Sequence, residues 1–370
     1  MTGAGLWVGR LVETLGARGG PDAVTLTVFS SSWADRVTAP LPPGVTVVDR
    51  RIPVALLNRL WHRREWPPVE WLAPGPFDVV HSPSPLLIPS RGAARVVTIF
   101  DLDFLDHPER TVREIKRDYP TLARSHAHRA DAVVVPSAYT ADEVVRRLDV
   151  PRDQITVCPC GARDWPVRTG TPTAGHLLFV GTIASRKNVD RLLAAYALLR
   201  ARRTDTPPLV LAGQSTPEAT ETLAQLTRPP LLGHVRHEGY VDDERLRALY
   251  NEAVLVVLPS LDEGFGIPAL EAMRVGVPVV AARRGALPEV VGDAGLLIDP
   301  LDVPALASTL ETLLADAPLR DRLSAAGVAR ARGFSWQASA DALTTAYRRA
   351  IRRRQTRQTR LTEGADADRH

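Results

Sequence analysis

The chain has 370 residues, 45% hydrophobic and 24% charged, which is length enough for two or three domains with cores of their own. Its formal charge is +4, but residues 348–370 carry eight arginines against three acids, so the rest of the chain is near neutral and a nucleic-acid-binding face is not expected. The two cysteines, Cys158 and Cys160, exclude a disulfide framework and a cysteine zinc site, and no apolar run reaches the roughly 18 residues of a membrane span.

The first residues read MTGAG, followed by Trp7, Leu11 and Leu15 at helical spacing. A doubly wound domain normally opens with a strand, so either this domain is short by one strand or, the favoured expectation, the true start lies upstream of residue 1. Short β-branched runs predict strands at 24–29, 45–48, 78–81, 95–100, 132–136 and 155–158, then at 176–180, 209–213, 234–238, 254–258, 277–281 and 295–298. Helical patterns lie between many of them, at 111–129, 188–202, 243–253 and 303–314. This alternation predicts α/β architecture with two parallel, doubly wound sheets. The proline-rich stretch 38–43 reads as a loop, and so does 56–72, where Trp61, Trp66 and Trp71 are expected to seal a core, with a face for a lipid-linked or glycan acceptor as the alternative. The Gly-, Pro- and Thr-rich stretch 161–175 marks a domain boundary.

The strongest chemical signal is 259–271, PSLDEGFGIPALE. It follows an apolar strand and enters a helix near Pro268, so Gly264, Phe265 and Gly266 lie where backbone N–H groups face an anion. Glu263 precedes that turn and suits polyol hydroxyls. Glu271 lies about one helical turn inside and suits ribose hydroxyls, as acidic residues do in dinucleotide folds. The alternative for both glutamates is a capping or solvated role. The second signal is 179–188, FVGTIASRKN, where Gly181 and Thr182 end a strand and Arg186 and Lys187 precede a helix. Two cations there suit a diphosphate; an ordinary polar loop is the alternative. Lysine is rare here, with Lys116 and Lys187 the only two among 46 basic residues. Tyr240 and Val241 follow another strand end and could carry a nucleobase.

These stretches together resemble retaining GT-B glycosyltransferases of the group 1, family 4 type. Glu263 and Glu271 resemble that family's E-x7-E motif, and 285–291 (GALPEVV), 295–300 (GLLIDP), 98–109 and 130–139 are similar to further family segments. The resemblance spans about 1–350. It implies two Rossmann-like domains facing across a cleft: 1–163 for the acceptor, 164–335 for the donor, and a crossover helix at 336–354 returning to the first domain. The polar, acidic end of the chain reads as a disordered tail, 355–370. It also implies a nucleotide-sugar donor as co-substrate, with no further cofactor and no metal. By the family's motif Arg186 and Lys187 would hold the diphosphate, Glu263 the donor sugar and Glu271 the ribose. Gly264, Phe265 and Gly266 would add backbone contacts, and Gly3 and Gly5 would form the first domain's glycine loop. Its similarity to polysaccharide mannosyltransferases implies mannose from GDP-mannose and a glycan or lipid-linked acceptor of an envelope polysaccharide. The expected location is the cytoplasm, with peripheral contact at the inner membrane face.

Two features depart from the pattern. The first strand is missing, and Phe100 stands where many relatives have the His of a His-Asp pair, leaving Asp101 as that pair's acid. A degenerate transferase that binds nucleotide without turnover is therefore one alternative, and a sugar phosphorylase on the same fold is another. An NAD-dependent oxidoreductase lacks support, because GAGLWV has no third glycine. Asp101-Leu102-Asp103 could be read as a metal-binding D-x-D, but the C-terminal motifs belong to a different fold. His62, His81, His107, His126 and His128 have no paired metal spacing and are expected at the surface.

Overall fold

The computed structural model describes residues 3–20, 23–31, 41–108, 113–172 and 175–367, except for the side chains of 113–117 and 361–367. The elements in chain order are α1 (Gly3–Gly16), β1 (Leu26–Ser30), β2 (Val45–Asp49), α2 (Val54–Arg64), β3 (Val79–Ser82), β4 (Ala94–Thr98), α3 (Asp103–Asp106), α4 (Arg113–Arg129), β5 (Ala132–Val135), α5 (Ala138–Leu148) and β6 (Ile155–Val157). There follow β7 (His176–Val180), α6 (Val189–Arg202), β8 (Leu209–Ala212), α7 (Thr220–Ala224), β9 (Val235–Gly239), α8 (Asp243–Glu252), β10 (Ala253–Leu258) and α9 (Ile267–Val275). The last are β11 (Val279–Ala282), α10 (Leu287–Val291), β12 (Leu296–Ile298), α11 (Val303–Ala315), α12 (Ala317–Ala331) and α13 (Trp336–Ala367). The chain divides into two compact units, Met1–Cys160 with Trp336–His370, and Gly161–Ser335.

In the first unit β1 pairs with β2, and β3-β4-β5-β6 form a second sheet; every pairing is parallel. Strand β5 is buried along its whole length, as a central parallel strand covered on both faces must be. Helix α5 starts where the Ser137 hydroxyl accepts the Thr140 N–H, at 3.0 Å. Helix α13 packs on this sheet through Ala340, Leu343, Ala346 and Ala350. It continues to Ala367 and does not stop at 354, which corrects the expectation of a disordered tail for its described part; residues 368–370 lie outside the described residues. The 336–363 stretch holds no glycine or proline to stop a helix, and Arg353 and Arg357 pair with Asp153 and Asp131 of the same unit.

The expected loop at 56–72 is also corrected: 54–64 is helical, with Leu57 and Trp61 on its buried face. The Trp61 indole donates to the Pro67 carbonyl, at 2.9 Å, so Trp61 seals the core as expected, while Trp66 and Trp71 remain 51% and 54% exposed. Of the proline-rich loop, 38–40 lie outside the described residues. His126 is buried, against expectation, because its Nδ1 accepts the Leu87 N–H at 2.9 Å, a long-range contact with no local signature.

The second unit is a six-stranded parallel sheet in the order β12-β11-β10-β7-β8-β9. Strand order reverses between β7 and β10, the innermost pair. All six residues of β10 are buried, and helices cover both faces. In such a sheet the crevice at the carboxyl ends of the two strands that flank the reversal is the place for a ligand. The two sequence stretches with the strongest chemical signal are the loops that leave these two strands.

Candidate active site

The loop after β7 runs through Gly181 and Thr182 into a single helical turn, Ser185–Lys187. Asn188 closes that turn in the left-handed region, with φ of 58°. Its buried side chain donates to the Pro259 carbonyl at 3.0 Å and to the Pro300 carbonyl at 2.8 Å. The Leu261 N–H returns a hydrogen bond to the Arg186 carbonyl, at 2.8 Å. The two loops are thus stitched together by backbone and by Asn188, which fixes the cations of one loop against the acid of the other.

Lys187, buried at the end of its turn, donates from Nζ to Glu263 Oε1. The Ser260 hydroxyl donates to the same oxygen at 2.9 Å, and Arg186 Nη1 lies 3.8 Å from Oε2. Arg186 also donates to the Asp262 carbonyl, at 3.3 Å, and is the more exposed of the two cations. Burial alone would raise the Glu263 carboxyl; Lys187 and Arg186 outweigh it and hold it below the ordinary carboxylate range. Two cations around one carboxylate leave this corner positive and suited to an anionic ligand.

Gly264, Phe265 and Gly266 carry the chain from Glu263 into α9. Phe265 is buried, with its ring edge-on to Phe334 at 5.8 Å. Gly266 caps the helix with φ of 101°, and Pro268 occupies the first turn, where no N–H is needed. The glycine-flanked helix start therefore lies beside the Lys187–Glu263 pair, an arrangement that favours negative charge.

Glu271, one turn further along α9, is held in a separate cluster. Arg163 Nη1 donates to its Oε1, and the Tyr250 hydroxyl donates to Oε2 at 3.1 Å. Burial pushes the Glu271 carboxyl up in spite of Arg163 and Tyr250, and burial raises the Tyr250 hydroxyl well above its ordinary value. Tyr240 and Val241 follow β9, and the Tyr240 side chain is 60% exposed.

The remaining expected site residues lie in the first unit. Gly3 and Gly5 sit in the first turn of α1, not in a loop; the spacing of Trp7, Leu11 and Leu15 begins the helix ahead of them, since the first turn needs no acceptors for its N–H groups. Asp101 lies between β4 and α3, where its carboxylate accepts the Asp103 N–H at 3.3 Å. Phe100 is edge-on to Trp7 of α1, with ring centroids 5.3 Å apart. No group of three or more His, Cys, Asp or Glu is placed to hold a metal ion among the described residues, and no helix among them is long and apolar enough to cross a membrane.

Reading the sequence did not single out Arg163, Tyr250, Ser260 or Gly285. Ser260 was inside the motif and could have been found as the residue three before Glu263. Arg163 had no signal at all: it lies in a linker without periodicity, and its partners are 80 and 108 residues away in sequence.

Residues 168–330 match the family model described as Glycosyl transferases group 1, and residues 1–164 match that of Glycosyltransferase Family 4. The chain is 34% identical over 282 residues to O-antigen chain mannosyltransferase B of Escherichia coli, covering 73% of this chain and 74% of the relative. It is 31% identical to the D-inositol 3-phosphate glycosyltransferase of Frankia alni, covering 94% and 95% of the two chains. Among solved structures, the sucrose-phosphate synthase from Thermosynechococcus elongatus superposes with a TM-score of 0.74 at 24% identity, over 94% of this chain and 93% of that one.

Proposed function

The chain belongs to the group 1, family 4 glycosyltransferases and has their GT-B fold, and from that premise we propose that it moves a hexose from a nucleotide sugar to a glycan or lipid-linked acceptor in envelope polysaccharide synthesis, with retention of configuration. The observation that carries the reading is the Arg186, Lys187 and Glu263 cluster, set at the reversal of strand order with Glu271 one turn beyond. GDP-mannose is the first choice of donor, supported by the name of the Escherichia coli relative.

In this reading Arg186 and Lys187 take the diphosphate and Glu263 accepts hydroxyls of the sugar. Gly264, Phe265 and Gly266 bring backbone N–H groups to the sugar and phosphate, and Glu271 accepts the ribose hydroxyls. Gly181 and Thr182 line the diphosphate loop, and Tyr240 and Val241 receive the base. The bond from the anomeric carbon to the phosphate oxygen breaks, and a bond to the acceptor oxygen forms on the same face. The acceptor's proton passes to the departing phosphate, so no protein nucleophile is required. Charge growing on the leaving diphosphate is met by Arg186 and Lys187, which can do the work of a divalent cation.

A peripheral contact with the inner membrane face is supported by one surface of the first unit. Exposed Trp66 and Trp71 pack edge-on, with ring centroids 5.9 Å apart. Arg91 lies over Trp71 at 4.8 Å, and Arg354 donates to the Arg91 carbonyl at 3.2 Å. Exposed tryptophans beside arginines suit an anionic interface.

The test is transfer from GDP-, UDP-, ADP- and dTDP-sugars to mannose-terminated lipid-linked acceptors, and to D-inositol 3-phosphate, with and without EDTA. NMR of the product reads the anomeric configuration. Retained configuration with EDTA-insensitive rates is expected. Inversion, or loss of activity with EDTA, would sink the mechanism; nucleotide binding without any product would favour the degenerate reading.

A further inference from the structure

The linker at the start of the second unit carries a buried arginine that the proposed mechanism leaves without a task. Arg163 is 8% exposed. Its Nη1 donates to Glu271 Oε1, and its Nη2 donates to Asp243 Oδ1 at 3.2 Å. The guanidinium lies over the Trp165 ring at 5.1 Å, and that ring packs on Tyr250 at 5.8 Å. Next to it, Arg274 of α9 donates to Asp164 at 2.7 Å. The linker is therefore held to the start of α8 through Asp243 and to the middle and last turn of α9 through Glu271 and Arg274.

We propose that Arg163 is a positioning residue for Glu271: together with Tyr250 it clamps the carboxylate so that one lone pair of each oxygen is directed to the vicinal diol of the donor's ribose. The inference rests on the reading of Glu271 as the ribose acceptor.

Three observations support it. The clamp is two-sided, with Arg163 on Oε1 and the Tyr250 hydroxyl on Oε2. Each carboxylate oxygen has about two acceptor sites, so one protein donor apiece leaves one apiece for a diol whose two hydroxyls are adjacent. The clamp is also rigid, because the Tyr250 ring is fully buried and packs on Trp165; its single hydroxyl proton is shared between Glu271 Oε2, at 3.1 Å, and the Pro268 carbonyl, at 3.2 Å. Finally, Arg163 Nε is buried and has no hydrogen-bond partner among the described residues. Pure stability would be served as well by apolar packing between linker and helix, whereas a buried ion pair with an unmet donor costs free energy. Its retention at this place is accounted for by the direction it gives the carboxylate.

The inference predicts a dependence on the ribose hydroxyls. Calorimetric titrations of the full chain with GDP, UDP and ADP would be compared with their 2′,3′-dideoxy analogues. Wild type should bind its preferred ribonucleotide roughly tenfold tighter than the dideoxy form, the effect of about one charge-assisted hydrogen bond. Glu271→Gln and Arg163→Gln should each reduce that ratio to within about twofold, and Arg163→Lys should restore part of it. In turnover, Arg163→Gln should raise the donor KM with little change in kcat, the pattern of a lost binding contact. Tyr250→Phe removes the other jaw of the clamp with little change in volume and should lower the ratio in the same way, so the claim can be read even if the arginine variants fold poorly. A ratio that survives Glu271→Gln would overturn the ribose reading itself. A ratio lost in Glu271→Gln but intact in Arg163→Gln and Tyr250→Phe would overturn the clamp alone, as would tighter nucleotide binding in Arg163→Gln.

Discussion

Gly285 lies flat against the backbone of Glu263: a Cβ at position 285 would stand 2.6 Å from both the N and the O of Glu263. Its φ is 59°, in the left-handed region. The next residue completes the contact, since the Ala286 N–H donates to the Glu263 carbonyl at 2.8 Å. The acid that faces Lys187 is thus set in height by a glycine more than twenty residues downstream. Gly285→Ala should cost about 1–3 kcal/mol of stability and displace Glu263. Urea unfolding and donor titration, run side by side, check this; an unchanged donor KM would show that Glu263 does not need the contact.

Lys187 and Glu263 are an ion pair with little solvent on either side. Lys187→Ala strands a buried carboxylate and should cost about 3 kcal/mol at neutral pH. The pH dependence has a definite sign. The folded Glu263 carboxyl sits below its ordinary value, so its contribution is complete above about pH 4.3 and is lost as pH falls through the folded value. The stability gap between wild type and Lys187→Ala should therefore narrow below about pH 4. A gap independent of pH would mean that the pair contributes through packing and not charge.

His126 titrates in the opposite sense to a paired histidine. Burial, with Arg129 nearby, lowers it from 6.5 to about 4. The unfolded chain then takes up the proton first, so stability is complete above about pH 6.5 and falls as pH drops towards 4. The full effect is on the order of 3 kcal/mol. His81, held between Thr98 and Tyr347 and lowered by burial to about 4, adds a slope of the same sign. Urea midpoints measured from pH 8 to 4 should show this slope, and His126→Asn, which keeps an acceptor for the Leu87 N–H, should flatten it. A slope unchanged in that variant would assign the acid sensitivity elsewhere.

The Trp66–Trp71 surface predicts selective binding to anionic bilayers. Sedimentation with vesicles of phosphatidylglycerol and phosphatidylcholine at low salt should retain the wild-type chain, and vesicles of phosphatidylcholine alone should not. Trp66→Ala with Trp71→Ala should weaken retention roughly fivefold or more, while nucleotide binding in the second unit stays as it was. Equal binding to both vesicle types would argue for a glycan or protein partner on these rings.

The strand pattern was readable from sequence because parallel strands buried on both faces are short, β-branched and punctuated: residues 132–135 and 253–258 are nearly pure alanine, valine and leucine. Each expected run contains or overlaps an observed strand, with ends displaced by a residue or two. The loops around Arg186, Lys187, Glu263 and Glu271 were readable because glycine, proline and charge occur together at strand ends. What escaped depended on distance in sequence. The helix at 54–64 was read as a loop because its prolines flank it, although Leu57 and Trp61 keep helical spacing. Burial of His126 by the Leu87 backbone, the clamp of Arg163 on Glu271 and the seating of Gly285 on Glu263 leave no local pattern, since each is made by two segments that meet only in the folded chain.

The most direct measurement is the thermal stability of the chain with GDP-, UDP-, ADP- and dTDP-sugars, each with and without EDTA, repeated for Lys187→Ala and Glu271→Gln. A ligand at about 100 times its Kd adds roughly 2.7 kcal/mol, a shift that is plain in a melting curve. One nucleotide class should stabilise the wild type with or without EDTA; Lys187→Ala should lose most of the shift, and Glu271→Gln, about tenfold weaker in binding, about half of it. No shift with any nucleotide sugar, or a shift untouched by both substitutions, would contradict a donor site at the β7 and β10 loops.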